Sequence, residues 1–557
     1  MNLRNRPESV AGAIAWAILA ATFLLRILYA FRYPFNADEP QHLHVAWAWA
    51  NGLLQYRDVF DNHTPLFHML MAPLVAILGD RPDLMILMRL AMLPLFAGLL
   101  ICTWLIGRAL FSQKVGLWAA VCTALMPFFF RGSLEFRTDV LWAACWLLAI
   151  ALLVRAPLTV RRSFFVGLMI GASAATSLKT TFLFGGMAGA ALLTPLVAWG
   201  WPWRERAAGL LRRAAAAAAG LLVIPVPIVL FFYAKGALGP FYYGTVQHNL
   251  IPFASQHALS RTITFAVCLL LGVLIARKVA RGNPPSGMAV RRAFFVLLVA
   301  VTLALQSFWP TGARHTRLPI APPMVVLVAA GLGWLLERKP GRHLALQHVA
   351  ATAAAIELAV LVGAAPWHSG TAYQALLWQD VLKLTDPGQK VMDAKGELIF
   401  RPRGIYCVLE GITTLRIGMG LMPDDIPEQL MASRTCVAAR GKSRLPPRAM
   451  AFVNANYICV GSLLAAGKAL SPAPGQAGPV EFDIRIAASY AIVTPAGAGR
   501  GELDGIRAGD ARFLDAGTHR YQPAPGEKHL AVVWAQAVQR GFSPFNISPS
   551  EQALWDP

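Results

Sequence analysis

Residues Asn36 to Pro65 read NADEPQHLHVAWAWANGLLQYRDVFDNHTP and lie between two long apolar segments, so the chain leaves a membrane here and returns to it. Loops of this size are usually polar tethers. This one opens on the adjacent acids Asp38 and Glu39 and continues through His42, His44, Trp47 and Trp49. It closes on Asp58, Asp61 and His63-Thr64-Pro65. Carboxylates placed where a helix meets the bilayer are costly and point to function. The plain alternative is a solvated loop with chance acids.

Around that loop the chain is built for lipid. Of its 557 residues, 56% are hydrophobic and 14% charged, and apolar runs near twenty residues recur, which excludes a soluble globular class. The first span is expected from about Ala11 to Ala30, behind the basic start MNLRNRP. It is too long, and too poor in small residues at its end, for a removable signal peptide. Further spans are expected near 84–106, 115–130, 138–154, 163–179, 181–199, 214–234, 262–277, 292–308, 318–336 and 347–365, about eleven in all. Residues 66–79 are apolar but short, and read as an interfacial helix or a prelude to the second span.

Charge orients these spans. Residues 1–366 hold 31 Lys and Arg against 12 Asp and Glu, whereas residues 367–557 hold 19 against 17. With the N-terminus inside, the inner segments carry 19 of those 31 basic residues, and the outer ones carry eight of the 12 acids. That asymmetry follows the positive-inside rule and sends the C-terminal region to the outer side. The basic excess serves topology and phosphate chemistry, not nucleic-acid binding.

Other outer segments add charge at the same level. RGSLEFRTDV brings Arg131, Glu135, Arg137 and Asp139 together between two spans. These read either as mutually neutralising ion pairs or as a site, with Asp139 at a helix head where the dipole favours a carboxylate. Lys179, in SLKTTFLFGG, is either a snorkelling lysine or a counter-charge for a phosphate. WPTGARHTRLPIAPP sets Arg314, His315 and Arg317 just outside a later span. His248 and His257 sit in an aromatic-rich third loop, and Glu357 is a lone acid expected to be buried against a polar neighbour.

Four pieces in this order, ADEPQHLHVAWAWANGLLQYRDVFDNHTP, LEFRTDVLW, SLKTTF and RHTRLPIAPPMVVLVAAGL, resemble the type-C glycosyltransferases. Within them the resemblance is to the group of protein O-mannosyltransferases and lipid A aminoarabinose transferases, and it covers roughly residues 12–340. It implies a GT-C-like enzyme with a polyprenyl-phosphate sugar as donor, a lipid, glycan or protein acceptor, and an active site at the outer face of a bacterial inner membrane. The catalytic acids then fall on Asp38, with Glu39 as companion, and on Asp139. The donor contacts fall on His63, Arg137, Lys179, Arg314 and Arg317. The chain departs from the family at His63, where relatives often carry Lys, and at Leu318, where an aromatic is common.

The chemistry of these residue types agrees. A lipid-phosphate sugar needs no nucleotide, so a phosphate-binding glycine loop is not required. An acceptor hydroxyl must lose a proton as it attacks the anomeric carbon, and Asp38 is the candidate base. The leaving phosphate needs fixed cations. Single displacement would invert the anomeric centre. No cofactor is required by this scheme. A divalent metal remains an option through Glu39, His42, His44 and His63, but histidines two apart on one helix face different ways, and no tight ligand spacing is present. No metal ligand is therefore assigned.

The expected fold class is a polytopic α-helical membrane protein with a C-terminal extracytoplasmic α/β unit and a small β-sandwich. The membrane domain takes residues 1–366, the α/β unit 367–468, and, after the linker LSPAPGQAGP, the sandwich 478–545. Cys407, Cys436 and Cys459 lie in the outer part, enough for one disulfide with one thiol over. The competing function is a transporter or flippase for a lipid-linked saccharide, which would favour internal repeats and charge near the bilayer midplane. Neither is visible in the sequence.

Overall fold

The computed structural model describes residues 6–155, 158–251, 258–282, 284–308, 314–337, 345–441, 444–470, 478–509 and 511–546. Helix α1 (Arg6–Arg32) leads to α2 (Asp38–Ala50), α3 (Leu66–Leu78), α4 (Leu84–Leu90) and α5 (Leu93–Leu110). A hairpin then gives α6 (Gln113–Leu125) and α7 (Pro127–Gly132), broken where Pro127 cannot continue the ladder. Next come α8 (Thr138–Val154), α9 (Val160–Thr176), α10 (Thr180–Val197), α11 (Trp203–Leu222), α12 (Pro225–Ala234) and α13 (Leu238–Tyr242). The membrane part closes with α14 (Ala258–Val279), α15 (Gly287–Gln306), α16 (Ala321–Glu337) and α17 (Ala345–Gly363).

Helices thus occupy each segment expected to span. Among the described residues six are long and apolar enough to cross a membrane by length and composition, and four shorter apolar helices accompany them. Several start on side-chain caps: Ser112, Thr159 and Ser286 accept the N–H of Val115, Arg162 and Ala289. Backbones close up where side chains are absent. A Cβ on Gly167 would lie 1.8 Å from the Ala217 carbonyl, so α9 and α11 pack through small residues, as membrane helices do.

Outside the membrane, α18 (Ala372–Leu384) precedes a sheet of β1 (Val391–Met392), β2 (Val437–Ala439), β3 (Tyr457–Val460) and β4 (Leu463–Leu470). Past the linker come β5 (Val480–Ile484), β6 (Ala488–Thr494), β7 (Gly497–Ala498), β8 (Glu502–Leu503), β9 (Ile506–Arg507), β10 (Arg512–Leu514), β11 (Gly517–Gln522) and β12 (Leu530–Trp534). A sheet β5-β11-β8-β9 faces a larger one ordered β1-β2-β4-β12-β6-β10, and Tyr490, Leu503, Leu514 and Tyr521 share one core. The C-terminal region is β-rich, but the division expected near 468–478 is crossed: β12 pairs antiparallel with β4 on one side and β6 on the other. The reason is the β4 sequence LLAAGKAL, apolar on both faces and long enough to serve as the centre of a common sheet. All seven cysteines are unpaired, the three outer ones included.

The first loop is the keystone between the two parts. Helix α2 buries Leu43 and Trp47 in the same core as Trp378, Leu398, Ile399 and Phe400 of the C-terminal region. Deleting one such side chain costs about 2–5 kcal/mol. Two further acids are placed by the fold, and for Glu357 the expectation changes. Asp61 is fully buried, with Gln55 Nε2 at 2.7 Å and His63 Nδ1 at 3.0 Å, so it is a packed group and not a spare loop charge. Glu357 lies exposed on α17, not buried against a polar neighbour.

Candidate active site

The adjacent acids of the first loop separate in space, as neighbours on a helix must. Glu39 points inward and is fully buried. Arg89 Nε donates to its Oε2 at 2.7 Å, and the Phe136 and Asn36 amides donate to the two oxygens at 3.0 and 2.9 Å. Arg89 also donates to the Tyr33 carbonyl at 2.7 Å and stacks over Phe35. Glu39 is thereby a strut tying α2 to α4 and to the second outer loop. The catalytic role expected of it does not fit a carboxylate sealed from any substrate.

Asp38 faces the other way and remains a quarter exposed. Arg137 Nη1 pairs with its Oδ2, and Lys395 Nζ, from the C-terminal region, with its Oδ1. Arg137 is the hub. Its Nε and Nη2 reach Asp139 Oδ2 at 3.3 and 3.2 Å, and Glu135 Oε2 lies 3.5 Å from Nη1. Asp139, in the first turn of α8 and fully buried, takes Lys179 Nζ on its other oxygen at 2.8 Å. Lys179 therefore does not simply snorkel; its ammonium is fixed on Asp139 and lies over the Trp142 ring. Charges alternate along one line: Lys395, Asp38, Arg137, Asp139, Lys179.

His315 and Glu135 complete the hub. Arg137 Nη1 lies 3.1 Å from His315 Nε2, and arginine only donates, so that nitrogen accepts and the proton sits on Nδ1. Nδ1 faces Glu135 Oε2 at 3.7 Å. Burial holds the His315 imidazole down, to about 4, with Arg137 adding to the effect. Burial pushes the Glu135 carboxyl up, to about 8, against the pull of Arg137 and with Glu39 reinforcing the rise. Both shifts favour the uncharged forms. Three cations against two carboxylates then leave the line with one unbalanced positive charge.

The other expected contacts fall at different places. His63 Nδ1 is held by Asp61 at 3.0 Å, and its ring abuts His42 at 4.7 Å, in a histidine cluster that also joins His42 Nδ1 to His68 Nε2 at 3.0 Å. It donates to no group of the charged line among the described contacts. Arg317 is exposed at the end of a short turn that starts with Arg314, whose side chain lies outside the described residues, as does His257. Of the four side chains considered for a metal, His42 and His63 lie together while Glu39 and His44 turn elsewhere. Glu39 is on Arg89, His44 Nδ1 is on the Ile399 carbonyl at 2.7 Å, and no group of three or more potential ligands converges among the described residues.

Two cavities lie close to this line, one of them walled by Glu135 and His315, which touch Arg137. One of about 550 Å³ has a mixed lining, with Asn36, Arg131, Glu135 and His315 beside Tyr33, Phe35 and Phe128. The other, about 760 Å³ and mostly apolar, runs down between α6, α14, α15, α16 and α17, from Thr316 and Arg317 to Lys114. Phe128 borders both. Lys179 reaches the same end of the apolar groove through a gap shared with Gln306, Thr316 and Ile320. Lys395 was not visible in the sequence as a site residue. The nearest signal is the Asp393-x-x-Gly396 spacing, which builds the rigid turn that presents it.

Residues 62–231 match the model of the dolichyl-phosphate-mannose-protein mannosyltransferase family. No curated protein matches the chain. The structure of ArnT from Cupriavidus metallidurans bound to undecaprenyl phosphate superposes with a TM-score of 0.55 at 12% identity, over 82% of this chain and 98% of that one. The apo state of the same protein gives 0.56 at 14%, over 82% and 98%. At such identities the likeness is one of fold. The chain is a multi-pass helical membrane protein of the GT-C fold with a β-rich C-terminal region.

Proposed function

We propose that this protein is a membrane glycosyltransferase that moves a sugar from a polyprenyl-phosphate donor to an acceptor hydroxyl on the outer face of a bacterial inner membrane. The observation that carries this reading is the line of alternating charges beside an apolar groove and a second cavity with polar walls at Asn36, Arg131, Glu135 and His315. A polyprenyl-phosphate sugar has the matching parts. Its chain suits the groove, its sugar suits the polar walls of the second cavity, and its phosphodiester carries the single negative charge that the line lacks. The family match over residues 62–231 supports the same donor class.

In the reaction the acceptor oxygen forms a bond to the anomeric carbon as the bond from that carbon to the phosphate oxygen breaks. The acceptor proton passes to Asp38, and the electron pair leaves on polyprenyl phosphate. The phosphate goes from one negative charge to two, so cations fixed beside it lower the barrier. Arg137, Lys179 and Arg317 take that role, with guanidinium forks suited to phosphate. Asp139 positions Arg137 and Lys179. One displacement inverts the configuration. The side-chain cations do what a divalent ion would otherwise do, and turnover should persist in EDTA.

The test uses the full chain in proteoliposomes with a labelled polyprenyl-phosphate sugar. Release of polyprenyl phosphate with label on an acceptor is expected. Movement of intact donor across the bilayer without transfer would make the protein a flippase instead. A reporter fused after Ala365 should be active only on the outer side; a cytoplasmic signal would reverse the orientation.

A further inference from the structure

The C-terminal region reaches into the charged line through a built loop. Asp393 accepts the amides of Gly396 and Leu398 at 2.6 and 2.9 Å and takes Arg403 Nε at 3.1 Å. The Lys395 amide donates to Glu397 at 2.7 Å, and Trp378 Nε1 donates to the Glu397 carbonyl at 2.8 Å. Gly396 adopts φ +82° and presses on α2, where a Cβ would lie 3.0 Å from Gln41 Cα. A side chain there would be both strained and crowded. This loop sets Lys395, only 8% exposed, onto Asp38 Oδ1.

The consequence for Asp38 is chemical. Arg137 holds one oxygen and Lys395 the other, so the carboxylate is stabilised as an anion and is a poor proton acceptor while both pairs stand. The two cations differ in freedom. Arg137 is also fixed by Asp139 and His315. The Lys395 ammonium has no second ion pair among the described residues and ends a flexible four-carbon stem.

Resting on the transfer reaction above, we propose that Lys395 is a further catalytic residue: it masks Asp38 in the empty enzyme and moves onto the donor's phosphate when that arrives. The exchange does two things at once. It restores basicity to Asp38 only when a donor is present, and it adds a cation to the phosphate whose negative charge grows as the sugar departs. Donor binding and activation of the base are then one event, and the C-terminal region is part of the active site and no mere shield over it.

The experiment measures binding of undecaprenyl phosphate to the full chain in nanodiscs, for wild type, Lys395→Gln, Asp38→Asn and the double variant. Lys395→Gln should weaken binding about tenfold or more, the worth of one charge-assisted contact. Asp38→Asn should tighten it in the wild-type background, because Lys395 no longer has to leave a carboxylate. In the Lys395→Gln background that extra tightening should vanish. A general field effect of removing Asp38 would be equal in both backgrounds, so the non-additivity isolates the exchange. Lys395→Arg, which keeps the charge, should recover most of the affinity and confirms that loss is not misfolding. Equal effects of Asp38→Asn in both backgrounds, or unchanged binding by Lys395→Gln, would overturn the role of Lys395 alone. No binding by the wild type would overturn the transferase reading, and this role with it.

Discussion

Glu39 and Arg89 form a bidentate, fully buried ion pair directly behind Asp38, so two adjacent acids of one helix turn do opposite work. Removing one partner of such a pair leaves an uncompensated buried charge and costs about 3–5 kcal/mol. Glu39→Ala should therefore lower thermal stability in detergent sharply, while Glu39→Gln should keep turnover per folded molecule. Asp38→Asn should do the reverse, with stability retained and turnover down at least about a hundredfold. Thermal melts beside turnover numbers decide this. A dead but stable Glu39→Gln would move the base by one residue.

Lys179→Met should weaken donor use while Lys179→Arg preserves it. Asp139 keeps Arg137 as a partner in the methionine variant, so insertion and folding should survive. The loss should appear in the KM for the donor, about tenfold, because one charge contact to phosphate is removed. An unchanged KM would make the Lys179–Asp139 pair purely structural.

The pH profile follows from Glu135. Its carboxyl is pushed up to about 8 by burial, so it gives up its proton as pH rises through that range. The new carboxylate beside Asp38 and Asp139 cancels the line's single positive charge and should weaken donor binding. Glu135→Gln imitates the protonated form and should lift the alkaline limb of kcat/KM. Lys395, drawn down to about 8 chiefly by burial, titrates in the same range. The part of the limb that persists in Glu135→Gln and moves in Lys395→Arg belongs to the lysine. A limb unmoved by Glu135→Gln would take Glu135 out of the site.

How much of this could be read from the sequence depends on where each residue's partner lies. Asp38, Arg137, Asp139 and Lys179 stand out because charge at the ends of apolar spans has a cost that composition exposes. The structure joins them in one line, though their roles remain to be tested as above. Glu39 looked like a second catalytic acid because Arg89, its partner, lies fifty positions away in an apolar stretch. Lys395 is hidden for a stronger reason: a lysine in the polar C-terminal region costs nothing until that region folds back onto α2. Likewise, the linker after Leu470 suggested two units, since local composition cannot show that β12 returns to pair with β4.

The groove gives the last prediction. It is lined by small residues on α16 and α17, among them Ala321, Ala329, Ala350 and Ala353, and it ends near Thr316 and Arg317 beside the charged line. If it holds the donor's hydrocarbon, filling it should discriminate by chain length. Ala329→Trp places a bulky ring part-way down, away from every charged group named above. A donor with a long polyprenyl chain should then lose kcat/KM, while a donor with one or two isoprene units, too short to reach the ring, should be used as by wild type. Each buried methylene is worth about 0.8 kcal/mol, so displacing even a few from the groove should cost more than tenfold. Equal losses for long and short donors would mean that the tryptophan distorts the bundle. No loss for either would place the chain elsewhere on the protein, and the groove would then have no part in donor binding.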